Sequence, residues 1–384
     1  MLNLFPRIYE GELLYSIISR YKRVAGIVSK KALIKDLYNQ LVSLNNLHFP
    51  VHIDDLVNNI PPNNNINSED IIKNNTLYRP FTSFLSEDKA QMIMNNMMKG
   101  KSCNPYAQIG LIGSKVKMND TLLYCSSCIE EDIKEYGESY WRVLHQVPGV
   151  LYCKKHNKCL SKSKVYPNRS RVDYICADSV DLSVDNTIIY DDIMDINLKY
   201  IENVEYLLRN DINRKDAKFI LEIYIDKLRN KGLTSKNGSI NIRLFEIEFK
   251  SFYGEKYLNQ MQSNFNIGSE TNWLRLFIRN SNKEKHMLRH LLIIQFLGIR
   301  IKDFFEIDKA IGKKEYIYIP NPRLDRDEQR EKWIKLINDN PGLSRSEYKN
   351  IGRGLYTWMY RNDNEFFNSI TPKKSNKNKL YIKE

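Results

Sequence analysis

Only six cysteines are spread over 384 residues. They are too few and too scattered for a disulfide framework, and their scarcity points to a reducing, cytoplasmic compartment. No apolar run approaches the ~20 residues that a membrane span requires, so a membrane partner is not expected. The opening residues MLNLFPRIYEGELLYS lack the basic-then-apolar order of a secretory leader. A Gly-rich phosphate loop of the Walker kind is missing, which leaves nucleotide hydrolysis to another protein. His286 and His290 stand four apart, but no Glu supports a metalloprotease-type site, so packing or a phosphate-facing position is expected of both.

What the chain does contain is material for a folded protein. Hydrophobic residues make up 42% and aromatics 11%, ample for burial, and 384 residues exceed one comfortable core. Two or three domains are expected. Lys and Arg number 59 against 46 acids, a surplus of +13 that favours a polyanionic partner, nucleic acid before membrane. The surplus is uneven: residues 270–384 hold 24 Lys and Arg against 15 acids, so +9 of it lies in the last third. A DNA-binding face is expected there.

Hydrophobic periodicity predicts a mainly α, multidomain chain. Residues 10–25 place Leu13, Leu14, Ile17, Ile18 and Tyr21 on one helical face, with Arg20, Lys22 and Arg23 outside it. A second helix is expected over Lys30–Leu44, with Ser29 as its N-cap, giving a helix-turn-helix-like pair. The run after Leu47 is irregular through Pro61 and Pro62, and a short helix restarts at Ser68. Helical spacing resumes near Tyr200 and persists, with natural stops at Gly232 and Gly298. The expected regions are residues 1–120 (N-terminal, helical), 121–180 (cysteine-bearing), 198–372 (helical, with two helix-turn-helix-like units) and 373–384 (a basic tail). The acidic stretch Asp178–Asn197 forms the expected boundary.

The chemistry concentrates in YCSSCIEEDIKEYGESYWRVLHQVPGVLYCKKHNKCL. Cys125-x2-Cys128 and Cys153-x2-His156 are two ligand pairs separated by 24 residues. Each tight turn can bring two donors to one ion, and two such pairs complete a tetrahedron. One structural Zn2+ held by Cys125, Cys128, Cys153 and His156 is therefore expected. His145 or Cys159 could take the place of His156, whereas Cys103 and Cys176 have no paired neighbour. The stretch between the pairs reads as a helix interrupted at Gly137, with Pro148–Gly149 turning into the second pair. Three thiolates and one imidazole leave no position for a reactive water, which argues for structure over catalysis and against an enzyme.

The same segment resembles the signature of the TnsD/TniQ family, target-selection proteins of Tns-type bacterial transposons. Its elements stand at Tyr124–Asp132, Tyr136–Trp141, His145–Val150 and Cys153–His156, and Arg142 matches the basic residue after the tryptophan. The opening FPRIYEGELLYSIISRY is similar to the family's N-terminal pattern. WLRLFIRNSNKEKHMLRHLLIIQFLG and the run from RDEQREKW to YTWMYRNDNEFF are similar to the DNA-binding region of the longer, TnsD-type members. His286-Met287 stands where a His-Pro pair would fit that pattern.

The resemblance implies a non-catalytic selector that binds a double-stranded DNA target site and recruits a TnsC-like AAA+ regulator, and through it the transposase. A bacterial, nucleoid-associated location goes with that role. Pro341-Gly342-Leu343 reads as a turn into a helix capped by Ser344, on which Arg345, Lys349 and Arg353 recur every four residues and share a face. Lys236 and Arg243 flank a similar turn at Gly232–Gly238. Trp333, Tyr356, Trp358 and Tyr360 interleave with aliphatic positions and are expected to be core aromatics. Two rival readings rank below: an adaptor that docks on an RNA-guided complex, and a zinc-dependent nuclease or hydrolase.

Overall fold

The computed structural model describes residues 1–42, 47–62, 65–100, 106, 109, 111–167, 173–182, 191–234, 239–279, 284–308 and 325–372. The chain is mainly helical, and its contacts divide it into two units, Met1–Tyr316 and Ile317–Glu384. The division falls inside the stretch 198–372 that the periodicity joins. Among the described residues no helix is long and apolar enough to cross a membrane.

In the first unit, the Leu14–Val24 helix buries Leu14, Ile17, Ile18 and Tyr21 along the face that the spacing predicts. Arg20 departs from the expectation: it is only 2% exposed, and its guanidinium lies against Glu12, itself fully buried. A helical wheel places Arg20 outside because its partners come from elsewhere in the chain. Ser29 caps the next helix by accepting from Ala32 N, but that helix is Lys30–Tyr38 and stops at Asn39, whose φ of 57° is left-handed. The predicted extension falls partly on residues 43–46, outside the described set. Helices Ile53–Asn59, Ser68–Asn75, Tyr78–Thr82, Glu87–Lys99 and the short Leu111–Ser114 follow in the N-terminal part.

The cysteine-bearing segment is built on two short antiparallel pairs, Leu123–Tyr124 with Ser161–Lys162 and Tyr152–Cys153 with Lys158–Cys159. Between the cysteine pairs the helix is interrupted at Gly137 as expected, but little of the stretch after it is helical. Ser126–Tyr136 ends at Gly137, with φ 76°, and only the short Val143–Gln146 helix follows. The residues between carry long-range contacts instead. Trp141 N donates to Ser16 Oγ, Leu13 N donates to the Trp141 carbonyl, and Trp141 Nε1 donates to the Ile175 carbonyl. A continuous helix would consume these backbone groups internally.

Helices Met194–Arg209, Ala217–Asn230, Ile242–Gln260, Trp273–Arg279, Met287–Phe296 and Ile301–Glu306 follow. Asp216 and Asn241 cap two of them. Gly254, at φ 72° and ψ 156°, kinks the Ile242–Gln260 helix next to Tyr253. One hydrophobic cluster runs through the whole unit, from Leu13 and Ile17 past Trp141 and Val147 to Tyr200, Phe249 and Leu291. The turn at Pro148–Gly149 is held at both of its carbonyls. Tyr200 Oη donates to the Pro148 carbonyl at 2.7 Å, and Asn197 Nδ2 donates to the Gly149 carbonyl at 2.8 Å. Gly149 has φ 87°, and a Cβ there would lie 2.7 Å from Met261 Cε. His286 and His290 are packing residues, as one of the two expectations had it: His286 meets the edge of Phe81, and His290 stacks on Phe84 with ring centres 4.3 Å apart.

The second unit packs Arg326–Asp339, Arg345–Asn362 and Asn364–Ile370 around Trp333, Tyr348, Met359 and Phe367. Ser344 and Glu347 form a capping box at the start of the second helix. That helix is broken at Arg353, which adopts φ 35° and ψ −106°. Just before it, Gly352 sits beneath Trp333; a Cβ would lie 2.6 Å from the indole Cζ3.

Candidate metal centre

Cys125 is extended at the end of the Leu123–Tyr124 strand and is the N-cap of the Ser126–Tyr136 helix, so Cys125 and Cys128 lie about one helical turn apart at its head. The Tyr152–Cys153 and Lys158–Cys159 strands form a hairpin, and its connecting turn carries His156. These two local devices place Cys125 Sγ, Cys128 Sγ and Cys153 Sγ at 3.5, 3.4 and 3.5 Å from His156 Nδ1. Cys128 Sγ and Cys153 Sγ are 3.5 Å apart, and all four donor atoms fall within 4.8 Å of one another. In a tetrahedron with bonds of ~2.3 Å to sulfur and ~2.0 Å to nitrogen, neighbouring donors stand roughly 3.5–3.8 Å apart. The cluster has the size and donor chemistry of a cage for one metal ion.

The three cysteines are buried and His156 is half-buried. Of the alternatives for the fourth position, His145 is buried and its pKa is pushed down to about 3 by burial, and Cys159 is half-buried; neither belongs to the four-atom cluster. Hydrogen bonds from Cys128 and Cys153 hold the Cys125 thiol far below its ordinary range, and Cys125 in turn pushes Cys128 far above it. Three thiolates so close cannot all ionise without a cation between them.

The surroundings hold residues that the spacing of cysteines does not reveal. Glu131 Oε1 lies 2.9 Å from His156 Nε2, the ring nitrogen facing away from the sulfurs. Its position three residues after Cys128, on the same helix, is the signal that could have found it. Asp132 is clasped by Arg142 through bonds of 2.8 and 2.7 Å, and its Oδ2 also accepts from Ser139 Oγ. Gln146 closes the other side, accepting from Leu123 N and donating to the Leu123 carbonyl, both at 2.9 Å.

A second network ties this centre to the N-terminal helix. Arg20 bonds both Glu12 oxygens and Glu138, Arg23 bonds Glu138 and Asp178, and the Arg20 guanidinium lies 4.3 Å above the Tyr9 ring. Burial raises the Glu12 carboxyl above its usual range even though Arg20 opposes the shift. These motif residues hold the fold together around the cage.

The predicted DNA-contacting residues divide on inspection. Lys236 lies outside the described residues, and Arg243 is exposed near the start of the Ile242–Gln260 helix. Lys349 and Arg353 are exposed, whereas Arg345 is half-buried. Its guanidinium reaches Asn368 Oδ1 at 2.6 Å and lies 4.8 Å from the centre of the Phe367 ring. The kink at Arg353 interrupts the helical repeat, so Arg345, Lys349 and Arg353 do not share the continuous face expected of them. Trp333 is a core aromatic as predicted, while Tyr356 and Trp358 are half-buried and Tyr360 is 51% exposed.

The TniQ family model matches residues 3–160. The family model of Tn7-like transposition protein D matches residues 201–325 and 309–382. The Escherichia coli protein described as transposon Tn7 transposition protein TnsD is 22% identical over 380 residues, covering 94% of this chain and 72% of that relative. The first match spans the metal cage and the Arg20 network, the second the helices that follow, and the relative aligns across both: the chain is a member of the TnsD/TniQ family.

Proposed function

We propose that the protein selects the target site of a Tns-type transposon. In this reading the helical C-terminal half binds a defined duplex sequence. The N-terminal and cysteine-bearing half recruits a TnsC-like AAA+ regulator, which directs the transposase. Cys125, Cys128, Cys153 and His156 hold one structural Zn2+. Four protein donors complete its shell, which supports a scaffold role and no catalysis. Residues 1–120, 121–180 and 198–372 would supply the docking, metal-bearing and DNA-binding parts, and residues 373–384 a basic tail.

The observation that carries this reading is that both family models fall on one chain, TniQ on residues 3–160 and Tn7-like transposition protein D on residues 201–382. The test has two arms. Purified protein should enrich a single motif from a library of randomised duplexes, and it should co-elute with a transposon-encoded AAA+ ATPase when that duplex and ATP are present. Binding to RNA-guided complexes without any duplex motif would favour the adaptor over the selector.

A further inference from the structure

A target selector needs a sequence-reading surface, and the described arginines of the second unit, taken with Lys349, fall into two sets. Arg326 and Arg330 both bind Asp363, at 2.7 and 2.6 Å, and Arg345 is held by Asn368 and the Phe367 ring. These three tie the helices of the unit to one another. Lys349, Arg353 and Arg361 are exposed and make no ion pair among the described residues. From 344 to 362 the chain carries Arg345, Lys349, Arg353 and Arg361 against a single acid, Glu347. The Glu347 carboxylate is engaged by Ser344 N at 2.8 Å and Ser344 Oγ at 2.6 Å. This surface is left with positive charge that no described residue of the unit pairs with.

The break at Arg353 gives that charge a direction. It cuts the Arg345–Asn362 helix into 345–352 and 354–362, two helices joined by a tight turn. Thr357 Oγ1 donates to the Arg353 carbonyl at 3.1 Å and pins the start of the second segment. Within 354–362, Met359 is buried and Leu355, Tyr356 and Trp358 are half-buried. Thr357, Tyr360 and Arg361 are exposed, and their i, i+3, i+4 spacing puts them on one face. Arginine can bond two acceptors of a guanine edge, and a half-exposed tyrosine offers both a ring and a hydroxyl.

We infer that segment 354–362 is the recognition helix: it enters the major groove with Tyr360 and Arg361 towards the base edges, while Arg353 and Lys349 hold the flanking phosphates. Arg345 is a structural residue of the unit. This assignment rests on the target-selector reading and replaces the Ser344-capped segment as the sequence-reading element.

The test compares full-length wild type with Tyr360→Ala/Arg361→Ala, Arg361→Lys and Lys349→Ala, each carried through binding selection from randomised duplexes. The double variant should still bind random duplex but lose at least one position of the enriched motif, with the wild-type motif bound about tenfold to a hundredfold more weakly. Arg361→Lys keeps the charge and loses the two-pronged geometry, so it should blur one base of the motif without weakening random-duplex binding. It also keeps the test open if the double variant melts early. Lys349→Ala should weaken all duplexes alike and shallow the salt dependence by about one ion. If the double variant and Arg361→Lys both enrich the wild-type motif at unchanged affinity, the assignment falls and the selector reading stands. If wild type binds duplex but enriches no motif, both fall.

Discussion

His156 and Glu131 face each other with Nε2 and Oε1 2.9 Å apart, on the side of the imidazole away from the three thiols. That arrangement fixes which ring nitrogen is presented to the cage. A carboxylate beside Nε2 favours the tautomer with its proton on that nitrogen, which leaves the Nδ1 lone pair for a metal. The same carboxylate also pairs with Lys155, so the Ser126–Tyr136 helix and the turn bearing His156 are joined outside the cage as well as through it.

Glu131→Gln should therefore leave the protein folded and weaken metal binding about 10- to 100-fold, read by competition with a chromophoric chelator. Cys128→Ser should do more, because the buried cage lies inside the continuous core of the first unit. Soluble Cys128→Ser protein with wild-type melting and full metal content would contradict the structural role of the cage.

Glu12 and Arg20 form a buried pair, whereas the Arg23 side chain in the same network is 41% exposed. Truncating one partner of a buried pair leaves an uncompensated charge and costs about 3–5 kcal/mol. Glu12→Ala should lose that much in a denaturant titration of the full chain. Arg23→Ala should lose no more than about 1 kcal/mol, as solvent screens its pairs. Equal losses would mean that the two positions do not differ in burial as described.

Three buried histidines away from the cage set the response to acid. Burial pushes His48 down to about 4 and His286 down to about 3, and lowers His290 well below its ordinary value. Each folded pKa is below the unfolded one, so the unfolded chain binds protons first as pH falls. Stability is then complete above the unfolded histidine value, near 6.5, and is lost between that value and the folded one. Moving from pH 7 to pH 5 should cost about 2 kcal/mol for each histidine, seen as a sharp drop in the melting temperature of the protein. An unchanged melting temperature over that range would show that these imidazoles are solvated.

How much of this was legible beforehand differs by feature. The cage was, because ligand pairs are local: two turns of chain set each pair, and only their meeting is long-range. The apolar face of Leu14–Val24 was also legible, since Leu14, Ile17, Ile18 and Tyr21 follow helical spacing. Arg20 was misplaced because periodicity sees its neighbours on the helix but not Glu138, 118 residues later, at 2.5 Å. The interruption at Gly137 is legible, but the helix expected to resume after it is cut to Val143–Gln146 for the same reason: Trp141 uses its backbone to bind Leu13 and Ser16. Arg353 was set on a continuous face by its spacing from Arg345 and Lys349. The flanking Gly352 and Gly354 were the local sign that the helix would break there.

The break itself gives the last prediction. Arg353 holds φ 35°, a region that disfavours any residue with a Cβ and that glycine enters freely. The Thr357 hydroxyl bonded to the Arg353 carbonyl offsets part of this strain, but the side chain is exposed and makes no ion pair among the described residues. A strained residue with a free cation at the entrance to an exposed helix is the pattern expected when conformation is kept for binding and not for stability. Arg353→Gly should stabilise the second unit by about 1 kcal/mol, measured by hydrogen exchange of its amides, while weakening duplex binding through the lost charge. Arg353→Ala separates the two effects, because it removes the same charge and keeps the strain: binding should weaken equally, with no gain in protection. If Arg353→Gly destabilises the unit, the backbone at 353 is not strained, and the kink is a resting conformation of the helix.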